Sequence, residues 1–129
     1  MKHHEPPKPT PSELDILRVL WEHGPATVRE VHAILAQVKP TGYTTVLKLL
    51  QIMTTKGMVN RDENRRAHVY EACQPAENTK RQLVGDLIQR AFAGSASQLM
   101  MHALDRKETT RDEIDEIRRM LDTYQEGKK

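Results

Sequence analysis

The sequence predicts a mainly α-helical fold with one small antiparallel β-ribbon. A helix is expected to run from Thr41 or Gly42 to Lys56, because apolar residues recur on one of its faces at helical spacing. Two short strands, residues 58–61 and 67–71, are expected next, joined by a turn-forming Asp-Glu-Asn sequence. The rest of the chain again has helical periodicity. The inward-facing positions of the helix are Val46, Leu49, Leu50 and Met53.

Composition limits the core that this chain can build. At 129 residues the chain is expected to form either one domain or a small domain with an appendage. Hydrophobic residues make up 37% of it and aromatic residues 4%, which predicts a thin core whose burial a partner completes. No apolar run is long enough to span a bilayer, and no apolar segment of a secretory signal follows the charged N-terminus. A single cysteine, Cys73, excludes an internal disulfide. The expected compartment is the cytoplasm.

Four parts are expected to follow one another along the chain. Residues 1–10 are rich in proline and lack an apolar pattern, so they are expected to form a disordered arm. Residues 11–75 should form the domain that carries the ribbon, and residues 76–125 a helical dimerisation domain. Residues 126–129 should form a polar tail.

The first domain is predicted to begin with two more helices. One runs from residue 11 or 12, with Ser12 as a candidate N-cap, to the His-Gly-Pro stop at residues 23–25. The other runs from Val28 to Gln37, and Thr27 forms a T-x-x-E capping box with Glu30 at its start. With the helix that ends before Gly57, they give a three-helix core whose second and third members form a helix-turn-helix.

The outer face of the third helix has a composition that suits DNA. Thr41 is its candidate N-cap, because the hydroxyl can accept from free backbone N–H groups of the first turn, and Gly57 is a natural stop. Tyr43 has two interpretations, since it either contacts the DNA backbone or buttresses the helix start. A short, polar, mildly cationic face fits a major groove. This face consists of Tyr43, Thr44, Thr45, Lys48, Gln51 and Thr55.

Positive charge is concentrated in the third helix and the ribbon. Arg61, Arg65 and Arg66 surround the ribbon turn, where they would lie against phosphates. Residues 41–68 contain five basic and two acidic side chains, whereas residues 74–129 contain ten of each. The net charge of the whole chain is only +2, so the positive excess lies in this unit. Together, the helix-turn-helix and the ribbon predict a winged-helix protein that reads duplex DNA.

The C-terminal segment is predicted to pair with a second copy of the chain. Its helices are amphipathic but too thin to build a core alone. The last of them opens at Thr110 and has heptad-like apolar spacing. A homodimer is therefore the expected assembly. The residues expected at its interface are Leu99, Met100, Ala103, Leu104, Ile114, Ile117, Leu121 and Tyr124.

Five stretches carry a family resemblance. They are TPSELDILRVLW at 10–21, ATVREV at 26–31, YTTVLKLLQIMTTKGMVNR at 43–61, RAHVY at 66–70 and TTRDEIDEIRRML at 109–121. In these stretches the chain resembles the penicillinase repressor family of bacterial winged-helix regulators. The resemblance implies a homodimeric repressor of β-lactamase or related cell-envelope response genes, bound to a dyad operator, with the last helices forming the dimer.

The resemblance also implies particular site residues and a signalling partner. The reading-helix contacts would be Thr41, Tyr43, Thr44, Thr45 and Lys48, and the wing contacts Arg61, Arg65 and Arg66. The family usually has Gly-Arg-Ala-Tyr in the wing, where this chain has Arg-Arg-Ala-His. In characterised members a membrane sensor-protease system leads to cleavage of an Asn-Phe bond, and the matching pair here is His102-Ala103. Copper-responsive relatives carry C-terminal cysteine pairs that this chain lacks, so copper sensing is not expected.

Other chemistry is not expected from the motifs. The sequence contains no Ser-His-Asp spacing, phosphate-cradling glycine loop or H-E-x-x-H motif, so we do not expect an enzyme. The histidines lack metal-ligand spacing, His68 is expected to pack on the ribbon, and no metal or cofactor is expected. Three function classes remain open: a dimeric operator-binding repressor, a winged-helix sensor switched by a small molecule or metal, and a winged-helix module that binds only protein.

Overall fold

Six helices and three short strands make up the structure, a computed structural model that describes residues 6–127. The helices are α1 (Pro11–His23), α2 (Val28–Ala36), α3 (Tyr43–Lys56), α4 (Ala76–Ala91), α5 (Ala96–Leu104) and α6 (Arg111–Gly127). The strands are β1 (Ala26–Thr27), β2 (Val59–Asp62) and β3 (Val69–Ala72). The predicted fold class, mainly helical with a small β-wing, is confirmed. No described helix is long and apolar enough to cross a membrane.

The sheet has one strand more than the sequence predicts. Its order is β1-β3-β2, with β2 and β3 as the expected hairpin and β1 paired antiparallel to the other side of β3. In this register Ala26 faces Tyr70 and Thr27 faces Val69. A strand of two residues is too short to produce the alternation by which strands are recognised, so the prediction of a two-stranded ribbon was incomplete.

The core lies between α1, α2, α3 and the sheet. α3 contributes Val46, Leu50 and Met53, as expected, while Leu49 is only partly buried at the edge. Trp21 is also partly buried, and its indole N–H donates to the carbonyl of Gln74 at 2.9 Å. The other buried apolar residues are Ile16, Leu17, Val19, Leu20, Ala26, Val28, Val31, Leu35, Met58, Val59 and Tyr70.

Capping boxes begin the first two helices. At α1 the N-cap is Thr10 rather than the predicted Ser12, because the Thr10 hydroxyl accepts from the Glu13 amide at 3.2 Å and the Glu13 carboxylate accepts from the Thr10 amide at 2.9 Å. At α2 the predicted box of Thr27 and Glu30 is confirmed. Its two hydrogen bonds measure 2.8 and 3.2 Å.

The start of α3 differs from these two. Its N-cap is Gly42, which supplies no side-chain hydrogen bond, so the prediction of Thr41 as the cap is wrong. The Thr41 hydroxyl instead donates to the carbonyl of Lys39 at 3.1 Å, within the turn between α2 and α3. At the other end the prediction is confirmed: Gly57 adopts a left-handed conformation with φ of 83°, which glycine tolerates, and closes the helix.

The proline-rich segment before α1 is only partly free of structure. Residues 6–10 contain no helix or strand, yet Pro9 is buried and the carbonyl of Pro6 accepts a hydrogen bond from the Gln82 side chain. Pro9 is thus shielded from solvent and Thr10 caps α1, while the expectation of a disordered arm over residues 1–10 stays a prediction. Residues 1–5 lie outside the described range.

The chain divides into two compact units, and the division falls inside α4, between Leu83 and Val84. In the second unit Gly94, with φ of 84°, turns the chain between α4 and α5. The hydroxyl of Thr110 accepts from the Glu113 amide at 3.1 Å and so starts α6 as predicted. α6 continues to Gly127, two residues beyond the expected end of the helical segment at residue 125.

Candidate nucleic-acid interface

The outer face of α3 is exposed along its whole length. Tyr43, Thr44, Thr45 and Lys48 all lie on the solvent side, opposite the buried stripe of the same helix, and Gln51 and Thr55 extend this surface. Short hydroxyl side chains on an accessible helix can reach base edges and thymine methyl groups. Thr41 is set apart from this surface, because it precedes the helix, is half-buried and uses its hydroxyl inside the turn.

The wing places two of its three arginines at an open tip. Arg65 and Arg66 lie in the turn between β2 and β3, are exposed, and form no ion pair with any described residue. The Asp62 carboxylate accepts from the Asn64 amide at 2.9 Å and shapes the start of this turn. The tip can therefore present two guanidinium groups to a polyanion without first breaking a contact.

Arg61 does not share this freedom. Its Nε and Nη2 atoms donate to the Glu63 carboxylate at 3.0 and 2.7 Å, and its side chain is only 30% exposed. Hydrogen bonds to Glu63 and to Tyr70 raise the pKa of Arg61 above its ordinary value. A neighbouring carboxylate thus occupies the guanidinium of Arg61 in the absence of DNA. The expected phosphate contact of Arg61 stays a prediction and would require this ion pair to be exchanged.

The positive charge of residues 41–68 is thus partly neutralised by acidic side chains of the protein itself. Lys56 pairs with Glu13 at 2.8 Å, just as Arg61 pairs with Glu63. Among the five cations of residues 41–68, Lys48, Arg65 and Arg66 form no ion pair with a described residue. These three are the side chains best able to release counterions from a nucleic acid.

A buried carboxylate fixes the far end of α3. The Glu13 side chain is 2% exposed and binds Lys56 Nζ with one oxygen while the other completes the α1 cap. Burial alone would raise the pKa of Glu13, but the hydrogen bonds from Lys56 and Thr10 outweigh burial and hold that pKa below its ordinary value. This contact between α1 and α3 joins residues 43 positions apart in the chain and was not predicted from the sequence.

The near end of α3 is held by a histidine that sequence reasoning left without a role. His32 Nε2 lies 2.8 Å from the carbonyl oxygen of Thr41. The His32 ring also meets the Tyr43 ring edge to face, with centroids 5.8 Å apart and planes at 77°. Tyr43 is 47% exposed, so it packs against the turn and still reaches solvent. Spacing in the sequence gives no signal for such a contact, because it depends on the α2–α3 crossing.

Beside its polar side chains, the outer face of α3 also exposes an apolar one. Ile52, to which the sequence analysis gave no role, is 46% exposed on α3, so the outer face includes an apolar side chain.

Cys73 is half-buried. Its burial, and to a smaller extent the nearby charge of Glu71, raises the pKa of its thiol. A raised thiol pKa lowers the thiolate fraction and hence the reactivity of Cys73. His68 is exposed on the wing, and no group of metal ligands occurs among residues 6–127.

The sequence profile of the penicillinase repressor family matches residues 9–123 of this chain. The chain belongs to the penicillinase repressor family. Among the members of that family, the transcriptional regulator BlaI of Mycobacterium tuberculosis is 32% identical over 117 residues, 89% of this chain and 83% of that protein. The penicillinase repressor of Bacillus licheniformis is 21% identical over 123 residues, 95% of this chain and 96% of that one. The predicted resemblance is confirmed.

Solved structures share the fold of the first unit of this penicillinase repressor family member. The DNA-binding domain of the repressor BlaI in solution has a TM-score of 0.52 and 22% identity, and covers 59% of this chain and 93% of that one. The monomeric form of Bacillus licheniformis BlaI, in complex with the blaP half-operator, has a TM-score of 0.51 and 23% identity. The match covers 57% of this chain and 90% of that one. These similarities identify the helices α1 to α3 and the sheet as a winged helix.

Proposed function

We propose that this chain is a transcriptional repressor that binds operator DNA as a homodimer. The observation that carries the proposal is the outer face of α3, which is polar and exposed while its opposite face is buried. The open arginines of the wing, Arg65 and Arg66, add a phosphate-binding element to the same unit. In this function α3 reads base edges in the major groove and the wing fixes the orientation of the domain on the duplex.

The dimer is supported by the unburied apolar side chains of the second unit. Neither α5 nor α6 contains a buried residue. On α6, Ile114, Leu121 and Tyr124 are 37%, 59% and 68% exposed. Large apolar side chains recurring at this spacing are typical of a helix that pairs with another helix. A second copy of the chain supplies the matching stripe, and a two-fold dimer then carries one α3 for each half of a pseudo-palindrome.

The regulated genes and the signal follow from the family rather than from geometry. We propose that the chain acts in the cytoplasm on β-lactamase or related cell-envelope response genes, and that a membrane sensor-protease system relieves repression. Release would follow separation of the C-terminal helices, since a lone subunit loses the avidity of the paired one. The His102-Ala103 bond lies within α5, so its cleavage would require local unwinding of that helix.

The geometry of the operator tests the proposal. A dimer with one reading helix per chain should protect two half-sites about one helical turn, or roughly 10 base pairs, apart. Inserting about five base pairs between them rotates one half-site by half a turn and should abolish tight binding, because both helices can no longer engage together. Inserting about ten base pairs, a full helical turn, should restore part of the affinity. Footprinting of the shifted duplexes would overturn the proposal if the half-turn insertion bound as tightly as the original.

Substitutions in α3 and the wing should have different effects on affinity. Arg65→Ala should weaken binding to every duplex and reduce the slope of log affinity against log salt by about one, because one phosphate contact is lost. Thr44→Ala or Thr45→Ala should weaken the specific duplex by about tenfold and random duplex far less, because a hydroxyl on α3 contacts base edges. Fluorescence anisotropy at several salt concentrations measures both quantities. Equal losses on the two duplexes for the threonine variants would contradict this division.

A further inference from the structure

The three helices of the winged helix are not capped in the same way. α1 and α2 each begin with a capping box: the hydroxyl of an N-cap threonine accepts from a backbone amide of the first turn, and a glutamate side chain accepts from the amide of that threonine. α3, the helix with the exposed reading face, begins at Gly42 without any side-chain cap. The first hydrogen bond of α3, from the Val46 amide to the Gly42 carbonyl, is 3.2 Å long. A glycine N-cap leaves the N–H groups of the first turn without a side-chain acceptor, so a contact from another element can contribute to fixing this end of the helix.

His32 of α2 supplies that contact. Its Nε2 lies 2.8 Å from the Thr41 carbonyl, one residue before the Gly42 cap. A carbonyl oxygen only accepts, so Nε2 carries the proton and donates. The ring also packs edge to face on Tyr43, the first residue of α3. One side chain thus holds the backbone on one side of Gly42 and a side chain on the other.

The turn that His32 holds is also tied from a second direction. The Thr41 hydroxyl donates to the Lys39 carbonyl at 3.1 Å, and Lys39 forms an ion pair with Asp15 of α1. The carbonyl and the hydroxyl of Thr41 are therefore both engaged. The next residues along the chain after Tyr43 are Thr44 and Thr45, whose hydroxyl groups lie on the exposed face. Small rotations of this first turn would move both hydroxyls relative to a base edge.

We propose that His32 is a positioning residue for DNA recognition, which sets the start of α3 through the Thr41 carbonyl and the Tyr43 ring. The proposal rests on the proposed function and adds to it a residue that does not itself touch DNA. Recognition requires contact groups held to within about half an ångström by supporting contacts. His32 is only half-buried, and the buried residues of α2 are Val28, Val31 and Leu35. Its replacement should therefore change α3 without opening the core.

Three substitutions separate the two contacts of His32. His32→Ala removes both the hydrogen bond and the ring, His32→Gln retains an amide donor, and His32→Phe retains an aromatic ring. His23→Ala is the matched control, because His23 is also a histidine near a backbone carbonyl, that of Gly24, but lies at the end of α1. Each full-length variant is titrated with a duplex selected by the wild type from a random pool and with an unselected duplex of equal length.

We expect His32→Ala to lower affinity for the selected duplex by about tenfold, the upper range for one hydrogen bond, and affinity for the unselected duplex by less than about twofold. His32→Gln should recover part of the loss, and His23→Ala should match the wild type. A general loss of folding would lower both affinities and the melting temperature together. Equal losses on both duplexes at an unchanged melting temperature, or no loss on either, would overturn the proposal.

Amide hydrogen exchange gives a readout that does not depend on DNA. The Val46 amide closes the first turn of α3, so His32→Ala should speed its exchange while amides in the middle of α3 keep their protection. Unchanged exchange at Val46 would overturn the positioning role even if DNA binding fell. A wild-type chain that selects no duplex would instead refute the proposed function, and the exchange result would still decide whether His32 fixes the helix start.

Discussion

Replacing Leu121 with aspartate is expected to raise the dissociation constant of the dimer by about two to four orders of magnitude, or about 3–5 kcal/mol. Leu121 lies on the apolar stripe of α6 and is 59% exposed in the isolated chain. In the proposed dimer the partner covers this stripe, and an aspartate there would be desolvated without a cation to pair with. Ile117→Asp should act in the same direction, because Ile117 lies one turn earlier on the same stripe.

Analytical ultracentrifugation across a concentration series measures the dissociation constant directly. The control is Thr123→Asp, which introduces the same charge on the same helix but at an exposed position off the stripe. This control should remain dimeric. Leu121→Asp should also lose tight operator binding while each winged helix retains weak affinity for a half-site. A wild type that sediments as a stable monomer at micromolar concentration, or a Leu121→Asp variant that still pairs, would contradict the dimer.

The second large effect is expected at the buried carboxylate that joins α1 to α3. Lys56→Met should lower the free energy of unfolding by about 2 kcal/mol, because it removes a charged hydrogen-bond donor from a carboxylate that stays buried. The Lys56 side chain is 37% exposed, which screens the pair and keeps the loss at this size. Urea unfolding of the wild type and of Lys56→Met measures this difference in the free energy of unfolding. Arg18→Met is the control, since the exposed Arg18–Glu22 pair at 3.7 Å should contribute less than about 0.5 kcal/mol.

The pH dependence of this stability has a definite sign. The folded-state pKa of Glu13 lies below its ordinary value of 4.5, because hydrogen bonds from Lys56 and Thr10 outweigh the burial that would raise it. A carboxyl group of this kind stabilises the fold above its unfolded-state pKa and loses that contribution as the pH falls through the folded-state pKa. Wild-type stability should therefore fall with acidification below about pH 4.5. Stability should fall less steeply with acidification in the Lys56→Met variant than in the wild type. An equally steep fall in the two proteins would exclude the Glu13–Lys56 pair as the source of the pH dependence.

The sequence predicted the parts of the fold that have a local signal. The three helices of the winged helix, the T-x-x-E box at Thr27 and the stop at Gly57 are all present. Each depends on periodicity or on residues a few positions apart, which a single sequence displays. The exposed face of α3 was predicted for the same reason, because its buried stripe fixes which residues remain outside.

Features that depend on distant residues were missed. β1 forms only by pairing with β3, more than forty residues further along the chain, and its own sequence is too short to reveal it. The roles of His32 and Glu13 arise from contacts between helices. The ion pair between Arg61 and Glu63 was missed as well, because it forms only once β2 places the two side chains together. Side-chain competition of this kind becomes visible only in three dimensions.

The three-stranded sheet has a consequence for aggregation. Edge strands with unpaired backbone groups can recruit strands from other molecules and grow into cross-β fibres. Here one edge, β1, is two residues long, and the other, β2, contains Asn60, Arg61 and Asp62. Such short, charged edges resist strand addition. In the proposed dimer, a subunit that loses its partner would expose apolar helix faces rather than an edge strand, so such subunits should associate reversibly through side chains and remain able to re-form dimers.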